Sequence, residues 1–489
     1  MGGLVMKKIL FASSEAAPFI KTGGLADVVG SLPKYFDRKK YDVRVILPKY
    51  ACMEEHFLGK LQAVTEFYVQ LGWRKQYAGI LKANANGIQY YFVDNEFYFA
   101  GDHPYGEIYQ DVEKFAFFSR AVLDAVEHID FCPDVIHCND WQTGLIPVFL
   151  EHFYRSRERY QKIRTVFSIH NIRFQGRWKI PEVKDVTSLP NTVFTPEGIE
   201  SYGESNYLKG GIVYADAVTT VSKSYAMEIM TPEGGEGLDG VLRRFGFKLF
   251  GIVNGLDYDV YNPAKDSYIF VPYHAADAVV KKAQNKEKLQ KFLGLPKSAD
   301  TFLIGMVSRM SDQKGFDLID AVLDRFLAAE NVQLAVLGTG EERYQNMFRY
   351  YADKYPDKLS ANIYYSEQTA HRIYAGADAF LMPSLFEPCG LSQLISLRYG
   401  TVPIVRETGG LKDTVEPYNK FTQEGTGFSF ANYNAEEMFD TIRSAMQLYY
   451  TQKSNWQDLM RRGMDQDFSW RSSVEEYERL YESVCGFTG

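Results

Sequence analysis

KKILFASSEAAPFIKTGGLADVV, residues 7–29, reads as a strand, a loop and the start of a helix. KKILFAS (7–13) is an apolar run of the length of one buried strand. Gly23-Gly24 then allows a sharp turn and a close approach of ligand to backbone, and LADVVGSLPKYF continues as a helical pattern. The free N–H groups and positive dipole end of such a helix suit phosphate or sugar hydroxyls, and Lys21 adds a mobile cation. The stretch is not a P-loop, because the Gly-Lys-Ser/Thr ending is absent. On its own it also reads as a plain turn beside a surface lysine.

The same unit recurs along the chain. VRVILP (43–48), DVIHC (134–138), TVFSIH (165–170), AVTTVS (217–222) and FGIVN (250–254) read as buried parallel strands, with helical patterns such as DVEKFAFFSRAVLDAVEHI (111–129) between them. Two strand-like runs about Asn84-Ala85-Asn86-Gly87 predict a hairpin insertion near 76–94. A second series follows: FLIGMVS (302–308), VQLAVLG (332–338), NIYYS (362–366), AFLMPS (379–384) and VPIVRE (402–407) as strands, with helices over 316–330, 341–355 and 391–400. Alternation of this kind predicts an α/β fold of two doubly wound Rossmann-like domains facing a deep inter-domain cleft. The expected ranges are 1–256 for the first domain, 257–278 for a Tyr- and Pro-rich linker, 279–470 for the second domain, and 471–489 for a C-terminal helix able to cross back to the first.

Composition narrows the function classes. The 489 residues are 46% hydrophobic and 24% charged, which is ordinary for a globular chain. A net charge of −8 disfavours nucleic acid as the main partner. The five cysteines form no CxxC pair, which fits reduced thiols better than a disulfide framework or a zinc site. No apolar run approaches the roughly 18 residues of a membrane span, and the start MGGLVMKKILFAS is too short in its apolar part for a signal peptide. The Met1-Gly2 start lacks the Ser or Thr at position 6 that myristoylation wants. A cytoplasmic protein without membrane association is expected.

The loops that follow the strands carry the chemistry. ETGGLKDTV (407–415) repeats the mechanics of KTGGLADVV in the second series, with Thr408, Gly409 and Gly410 at the turn. In VSRMSDQKGFDLI (307–319), Arg309 and Lys314 place two cations after a strand, a set able to neutralise a diphosphate without metal. SLFEPCGLSQL (384–394) puts Glu387 just before a helix start whose N–H groups, from Cys389 through Gly390 and Leu391 to Ser392, suit a phosphate. Glu387 itself suits two vicinal sugar hydroxyls. A solvated loop and a helix cap are the plainer readings of these two stretches. In the first series Asp140 and Trp141 follow one strand, and His170 and Asn171 the next. VNGLDYDVYNP (253–263) sets Asn254 at the end of that series.

KTGGLADVVGSLP, HCNDWQTGLIP, SIHN, VNGLDYDVYNP, SRMSDQKG, FEPCGLSQL and RETGGLKDTV occur in this order. In that they resemble bacterial glycogen synthases and plant starch synthases, over about residues 7–484. The resemblance implies the two-lobed GT-B arrangement and transfer of glucose, with retention and no metal, from a nucleotide diphosphate sugar to the non-reducing 4-hydroxyl of an α-1,4-glucan. ADP-glucose is the donor it implies. Carried over by position, Glu387, Arg309, Lys314, His170 and Asp140 form the catalytic set. Lys21, Gly24, Asn171, Asn254, Tyr365, Cys389, Gly390, Leu391, Ser392, Thr408, Gly409 and Gly410 contact the donor, Tyr365 by stacking on the base. Asp27 holds the Lys21 loop. No cofactor and no metal are expected; the partners are ADP-glucose and glycogen or a maltooligosaccharide.

Two departures bear on this. Asn139-Asp140-Trp141-Gln142 stands where many relatives have His-Asp-Trp-His, which puts only the flanking acceptor contacts in question. Ile395 stands where many other two-lobed glycosyltransferases carry a ribose-binding Glu, which favours the glycogen and starch branch. The rival expectations are a retaining transferase using UDP-glucose, a sugar-nucleotide epimerase on the same lobes, and a catalytically silent glucan- or nucleotide-binding protein. The Asp-x-Asp strings at Asp257 and Asp465 do not directly follow a strong strand, which argues against metal use.

Overall fold

A computed structural model of the chain describes residues 6–106 and 108–486, the side chains at 108 and 109 excepted. The Met1-Gly2 start and the last three positions lie outside the described residues. The chain divides into two compact units, one running to Gly255 and resuming at Trp470, the other spanning Leu256–Ser469.

The first unit is built on a nine-stranded sheet. Its parallel part runs in the order Leu249–Gly251, Ala217–Thr220, Arg164–Ile169, Val135–Asn139, Lys7–Ala12, Tyr41–Pro48, Ile88–Asp94. All six strands expected of the first series are present. Lys7–Ala12 pairs in parallel with both Tyr41–Pro48 and Val135–Asn139, and its last four residues are buried. A strand shut in on both faces reads as a near-continuous apolar run, which is why this one was legible.

The hairpin is larger than its sequence signal. Arg74–Ala85 pairs antiparallel with Ile88–Asp94 about Asn86 and Gly87, both at positive φ, as a two-residue hairpin turn requires. Ile88–Asp94 also pairs in parallel with Tyr41–Pro48, so the hairpin extends the main sheet instead of standing apart as an insertion. A further strand, Gln62–Leu71, was not expected. It forms the outer edge, where alternate residues face solvent and the apolar run is broken. A small three-stranded sheet (Arg177–Lys179, Glu200–Ser201, Glu204–Asn206) lies outside the main one.

The second unit has six parallel strands in the order Leu359–Asn362, Val332–Leu337, Phe302–Val307, Ala379–Met382, Val402–Arg406, Phe428–Phe430. This is the Rossmann order 3-2-1-4-5-6. Helix Phe316–Ala329 and helix Ala435–Thr451 bury Leu323, Phe326, Met438 and Ile442 in one core cluster, and Leu289, Ile373, Leu394 and Tyr399 fall in a second. The strand expected at 362–366 lies at Leu359–Asn362. It ends there because the Asn362 amide turns back to donate to the carbonyls of Val336 and Ser360, leaving Tyr364 and Tyr365 exposed.

The stretch read as a linker, 257–278, packs inside the second unit. Asp266 is buried, and its Oδ2 is hydrogen-bonded to His371 Nδ1 at 2.7 Å and accepts from Tyr399 Oη at 2.6 Å. Ile269 and Tyr273 are buried with it. The segment has no helical or strand period because it wraps the unit as irregular chain, its aromatic side chains supplying the burial. Helix Trp470–Cys485 belongs to the first unit: Tyr481 Oη is 2.6 Å from His137 Nδ1, and Lys7 pairs with Glu482. No helix of the described residues is long and apolar enough to cross a membrane.

Candidate active site

In each unit some of the expected site residues follow the strands between which the strand order reverses, the place at which open α/β sheets bind ligands, whereas Tyr365 and Asn254 follow edge strands. In the second unit that point lies between Phe302–Val307 and Ala379–Met382. The loop after the first strand carries Arg309 and Lys314, and the loop after the second carries Glu387. Lys314 Nζ sits 2.6 Å from Glu387 Oε2, and Ser384 Oγ donates to the same oxygen at 3.1 Å. Glu387 is only 6% exposed. A buried carboxylate needs a cation and donors beside it, and here both bind one oxygen. Oε1 has no hydrogen-bond partner among the described residues. The Arg309 side chain is exposed and makes no ion pair among them.

The turn that presents Glu387 is locked by glycines. Gly409 adopts φ +44, and a Cβ there would stand 2.0 Å from the carbonyl oxygen of Glu387. A Cβ on Gly410 would stand 2.0 Å from that of Cys389. The Gly410 N–H donates to the Glu387 and Pro388 carbonyls at 3.1 Å. Thr408 is the N-cap of the short helix Gly409–Thr414. Gln393 was missed in the sequence, yet its amide donates to the Cys389 and Gly390 carbonyls and so holds the 389–390 turn. The following helix runs Ser392–Arg398 with Leu391 at its N-cap, one residue later than expected, and Ser392 accepts from Tyr374 Oη at 3.0 Å. Ser392 and Lys314 line one small recess with Ser308, Pro383 and Ser384. Tyr365 is 76% exposed and its hydroxyl donates to Glu367.

In the first unit the reversal falls between Lys7–Ala12 and Val135–Asn139. The loop after Lys7–Ala12 is pinned by Glu15, another residue that sequence reading passed over. It is 3% exposed and accepts from Thr22 N at 2.5 Å, Thr22 Oγ1 at 2.8 Å and Tyr105 Oη at 2.6 Å. An acid between a strand and a Gly-Gly turn reads as a surface residue; only burial shows what it does. Lys21 pairs with Asp27 at 2.8 Å across the start of helix Gly24–Ser31. A Cβ on Gly23 or on Gly24 would meet nothing within 4 Å. The two TGGL loops therefore differ. Gly409 and Gly410 serve the packing of their own unit, whereas Gly23 and Gly24 leave an open backbone.

Asp140 sits at φ +56, one of few non-glycine residues in the left-handed region, and such strain gathers at functional positions. Its Oδ1 accepts the His170 N–H at 2.7 Å. Burial pushes the Asp140 carboxyl up to about 7, opposed by the backbone N–H groups of His170 and Asn171 and assisted by the Glu15 charge. His170 is pushed down to about 4 by burial, so its ring is neutral at pH 7. Its Nε2 lies 2.9 Å from Asn139 Oδ1, and Asn139 Nδ2 donates to the carbonyls of Ala12 and His137. That assigns the proton to Nε2 and leaves Nδ1 as an acceptor. Asn171 Oδ1 caps Arg173 N. Asn254 is 6% exposed, and its buried Oδ1 has no partner among the described residues. No group of three or more His, Cys, Asp or Glu able to hold a metal occurs among the described residues.

The family described as "Starch synthase catalytic domain" matches residues 8–244, and that described as "Glycosyl transferases group 1" matches residues 285–457. A glycogen synthase of Lachnospira eligens is 58% identical, covering 98% of this chain and 100% of its own length. One of Lachnoclostridium phytofermentans is 56% identical with the same coverage. This chain belongs to the glycogen synthase family. Among solved structures it is similar to the catalytic domain of starch synthase IV from Arabidopsis thaliana, bound to ADP and acarbose. That match has a TM-score of 0.90 and 33% identity, covering 98% of this chain and 99% of the other. Sucrose-phosphate synthase from Thermosynechococcus elongatus, at 15% identity and a TM-score of 0.63 over 99% and 100% of the two chains, shares the fold. As a member of the glycogen synthase family, this chain is a glycosyltransferase with two Rossmann-like units of the GT-B class.

Proposed function

We propose that this protein transfers glucose, with retention and without a metal ion, from ADP-glucose to the non-reducing 4-hydroxyl of an α-1,4-glucan. The observation that carries the reading is the Lys314–Glu387 pair at the strand-order reversal of the second unit, with the exposed Arg309 on the same loop. Arg309 and Lys314 supply positive potential where the diphosphate leaves, which lowers the barrier by stabilising charge as it develops. Lys314 stays tied to Glu387 and so acts from a fixed position. The Glu387 Oε1 accepts sugar hydroxyls, and the His170 Nδ1 accepts another. Lys21 and the open backbone at Gly23 and Gly24 approach the donor phosphates.

The C1–O bond to the β-phosphate breaks and a bond from C1 to the glucan 4-oxygen forms on the same face. The 4-hydroxyl proton passes to the departing phosphate oxygen, so ADP leaves and the configuration is kept. Glu387 is engaged by Lys314 and Ser384, which suits a hydroxyl acceptor better than a nucleophile. A cytoplasmic setting is part of this reading, supported by five cysteines without a disulfide.

Label transfer to glycogen from ADP-glucose and from UDP-glucose, with and without excess EDTA, tests it. Transfer from ADP-glucose that persists in EDTA is expected. Activity abolished by EDTA and restored by magnesium overturns the metal-free step, and preference for UDP-glucose overturns the donor. Binding without transfer would leave a silent glucan- or nucleotide-binding protein.

A further inference from the structure

Arg406 ends strand Val402–Arg406 and Glu407 follows it, ahead of the Gly409-Gly410 turn, and the two charged residues engage opposite neighbours. Glu407 donates its N–H to the Phe430 carbonyl at 2.9 Å and accepts from Ser429 Oγ at 2.7 Å, so it serves the edge of the sheet. Arg406, half-buried, reaches the other way, into the loop that leaves strand Ala379–Met382 and carries Glu387. Its Nη1 donates to the Leu385 carbonyl at 2.6 Å and to the Ser384 carbonyl at 3.3 Å. The guanidinium carbon stands 5.6 Å from the centre of the Tyr433 ring, whose hydroxyl donates to Asp317 at 2.5 Å in the first turn of helix Phe316–Ala329. A flat cation seated against a ring that is itself tied down keeps its orientation, so its donors stay aimed at the loop.

The same loop is held from its other side by Gln313, the residue before Lys314. The Leu385 N–H donates to the Gln313 carbonyl at 2.9 Å, and Gln313 Nε2 donates to the Phe386 carbonyl at 3.2 Å. The two anchors join different things. Gln313 ties the Glu387 loop to the loop of Arg309 and Lys314, whereas Arg406 ties it to the end of a buried strand of the sheet. A displacement of Ser384 also reaches the carboxylate directly, because Ser384 Oγ donates to Glu387 Oε2.

We propose that Arg406 is a positioning residue for glucosyl transfer: it fixes the Ser384–Leu385 backbone against the sheet and so sets where the Glu387 carboxylate meets the sugar. Hydrogen bonds from a charged donor are roughly twice as strong as neutral ones, so losing this one releases the loop more than losing a neutral bond would. Without Arg406, Glu387 still follows Lys314 and Gln313, but both loops can then shift together relative to the strands. A misplacement of about 1 Å costs roughly 100-fold in rate. The effect falls on the glucosyl part of the donor, since ADP alone meets the cations and not Glu387. That kinetic consequence rests on the role of Glu387 proposed above; the anchoring of the loop does not.

Arg406→Met removes the donors and keeps an unbranched side chain, and Arg406→Lys returns a cationic donor towards the same carbonyls. In hydrogen–deuterium exchange of the full chain, the Leu385 amide should exchange about tenfold faster in Arg406→Met, as expected of a locally opened loop. It should slow again in Arg406→Lys, while the amides of strand Phe302–Val307 keep their rates. With ADP-glucose and glycogen, kcat/KM should fall roughly 10–100-fold in Arg406→Met and recover in part in Arg406→Lys, with the calorimetric affinity for ADP unchanged in both. Arg406→Gln, too short to reach both carbonyls, carries the same expectations should the Met variant fail to fold. Unchanged Leu385 exchange, or full turnover despite faster exchange, overturns the positioning role. An ADP affinity that falls as far as kcat/KM overturns it too, because Arg406 would then serve the diphosphate or the unit as a whole. If the unaltered chain transfers no glucose, the reaction reading fails, and the exchange rates still decide whether Arg406 holds the loop.

Discussion

Asp140 and the two neutral histidines, His170 and His137, pull the pH dependence of folding in opposite directions. A carboxyl raised to about 7 is protonated in the folded protein but ionised in the unfolded chain from about pH 4 upward. Folding then takes up a proton, and stability falls as pH rises through that window. His170, pushed down to about 4, and His137, pushed down to about 3 by burial and then by His170, stay neutral when folded. Their unfolded forms gain a proton below about pH 6.5, so their contribution is present above that pH and lost as pH falls towards 4. Between pH 5 and 6.5, Asp140 therefore offsets one histidine. Asp140→Asn keeps an oxygen to accept the His170 N–H and removes the offset. Its unfolding free energy should rise with pH more steeply than that of the unaltered chain, by up to about 1.4 kcal/mol per pH unit. The residual surface of Asp140 and its two backbone donors reduce that figure. Urea unfolding at intervals from pH 5 to 6.5 measures it, and parallel slopes would show that Asp140 is already ionised when folded.

At the scale of the loop and helix, the paired Gly-Gly turns make separable predictions. Gly410→Ala places a Cβ against the Cys389 carbonyl with no flexible side chain to give way. Overpacking of that kind costs about 1–3 kcal/mol, and it displaces the turn that presents Glu387. Both the melting temperature and kcat should fall. Gly24→Ala meets nothing and extends a helix start, so the melting temperature should hold or rise slightly, while kcat/KM for the donor should fall at least tenfold. Equal effects of the two changes on stability would refute the distinction. This contrast was invisible in the sequence, where TGGLADVV and TGGLKDTV read as one device. Strands buried on both faces, such as Phe302–Val307 and Lys7–Ala12, were legible because apolar run and strand coincide. The edge strand Gln62–Leu71 was not, because half of it faces water. Lys314, Glu387 and Arg309 stood out as candidates because strand-end loops carry ligand chemistry. Glu15 and Gln393 were not, because a side chain that holds backbone groups of its own loop leaves no pattern in composition or spacing.

Across the whole molecule, the chain passes between the units twice, after Gly255 and after Ser469, and the two passages are paired. Leu256 N donates to the Phe468 carbonyl at 2.7 Å, and Leu256 bridges Ser469 in parallel. A Cβ on Gly255 would stand 2.5 Å from the Trp470 Cα, so the returning chain fits closely only against glycine. What returns is structural to the first unit. Trp470, Tyr477, Leu480 and Tyr481 of the last helix are buried. Tyr481 Oη meets His137 Nδ1, His137 Nε2 lies 2.6 Å from Ser168 Oγ, and Ser168 Oγ lies 2.5 Å from Thr219 Oγ1. This buried chain of hydrogen bonds runs beneath the strands that end at Asp140 and His170. A chain stopped at Ser469 loses the burial of these four large side chains, each worth about 1.5–3 kcal/mol, uncovers the surface they packed on, and leaves His137 with an unmet ring nitrogen. Together these approach the whole stability of a domain, about 5–15 kcal/mol. Limited proteolysis of the truncated chain should therefore digest the first unit while a fragment near 256–469 resists. In the full chain, Tyr481→Phe removes only the hydroxyl and should cost about 1–3 kcal/mol in urea unfolding. Resistance of residues 6–255 in the truncated chain would mean that the sheet holds without the helix that the sequence returns to it.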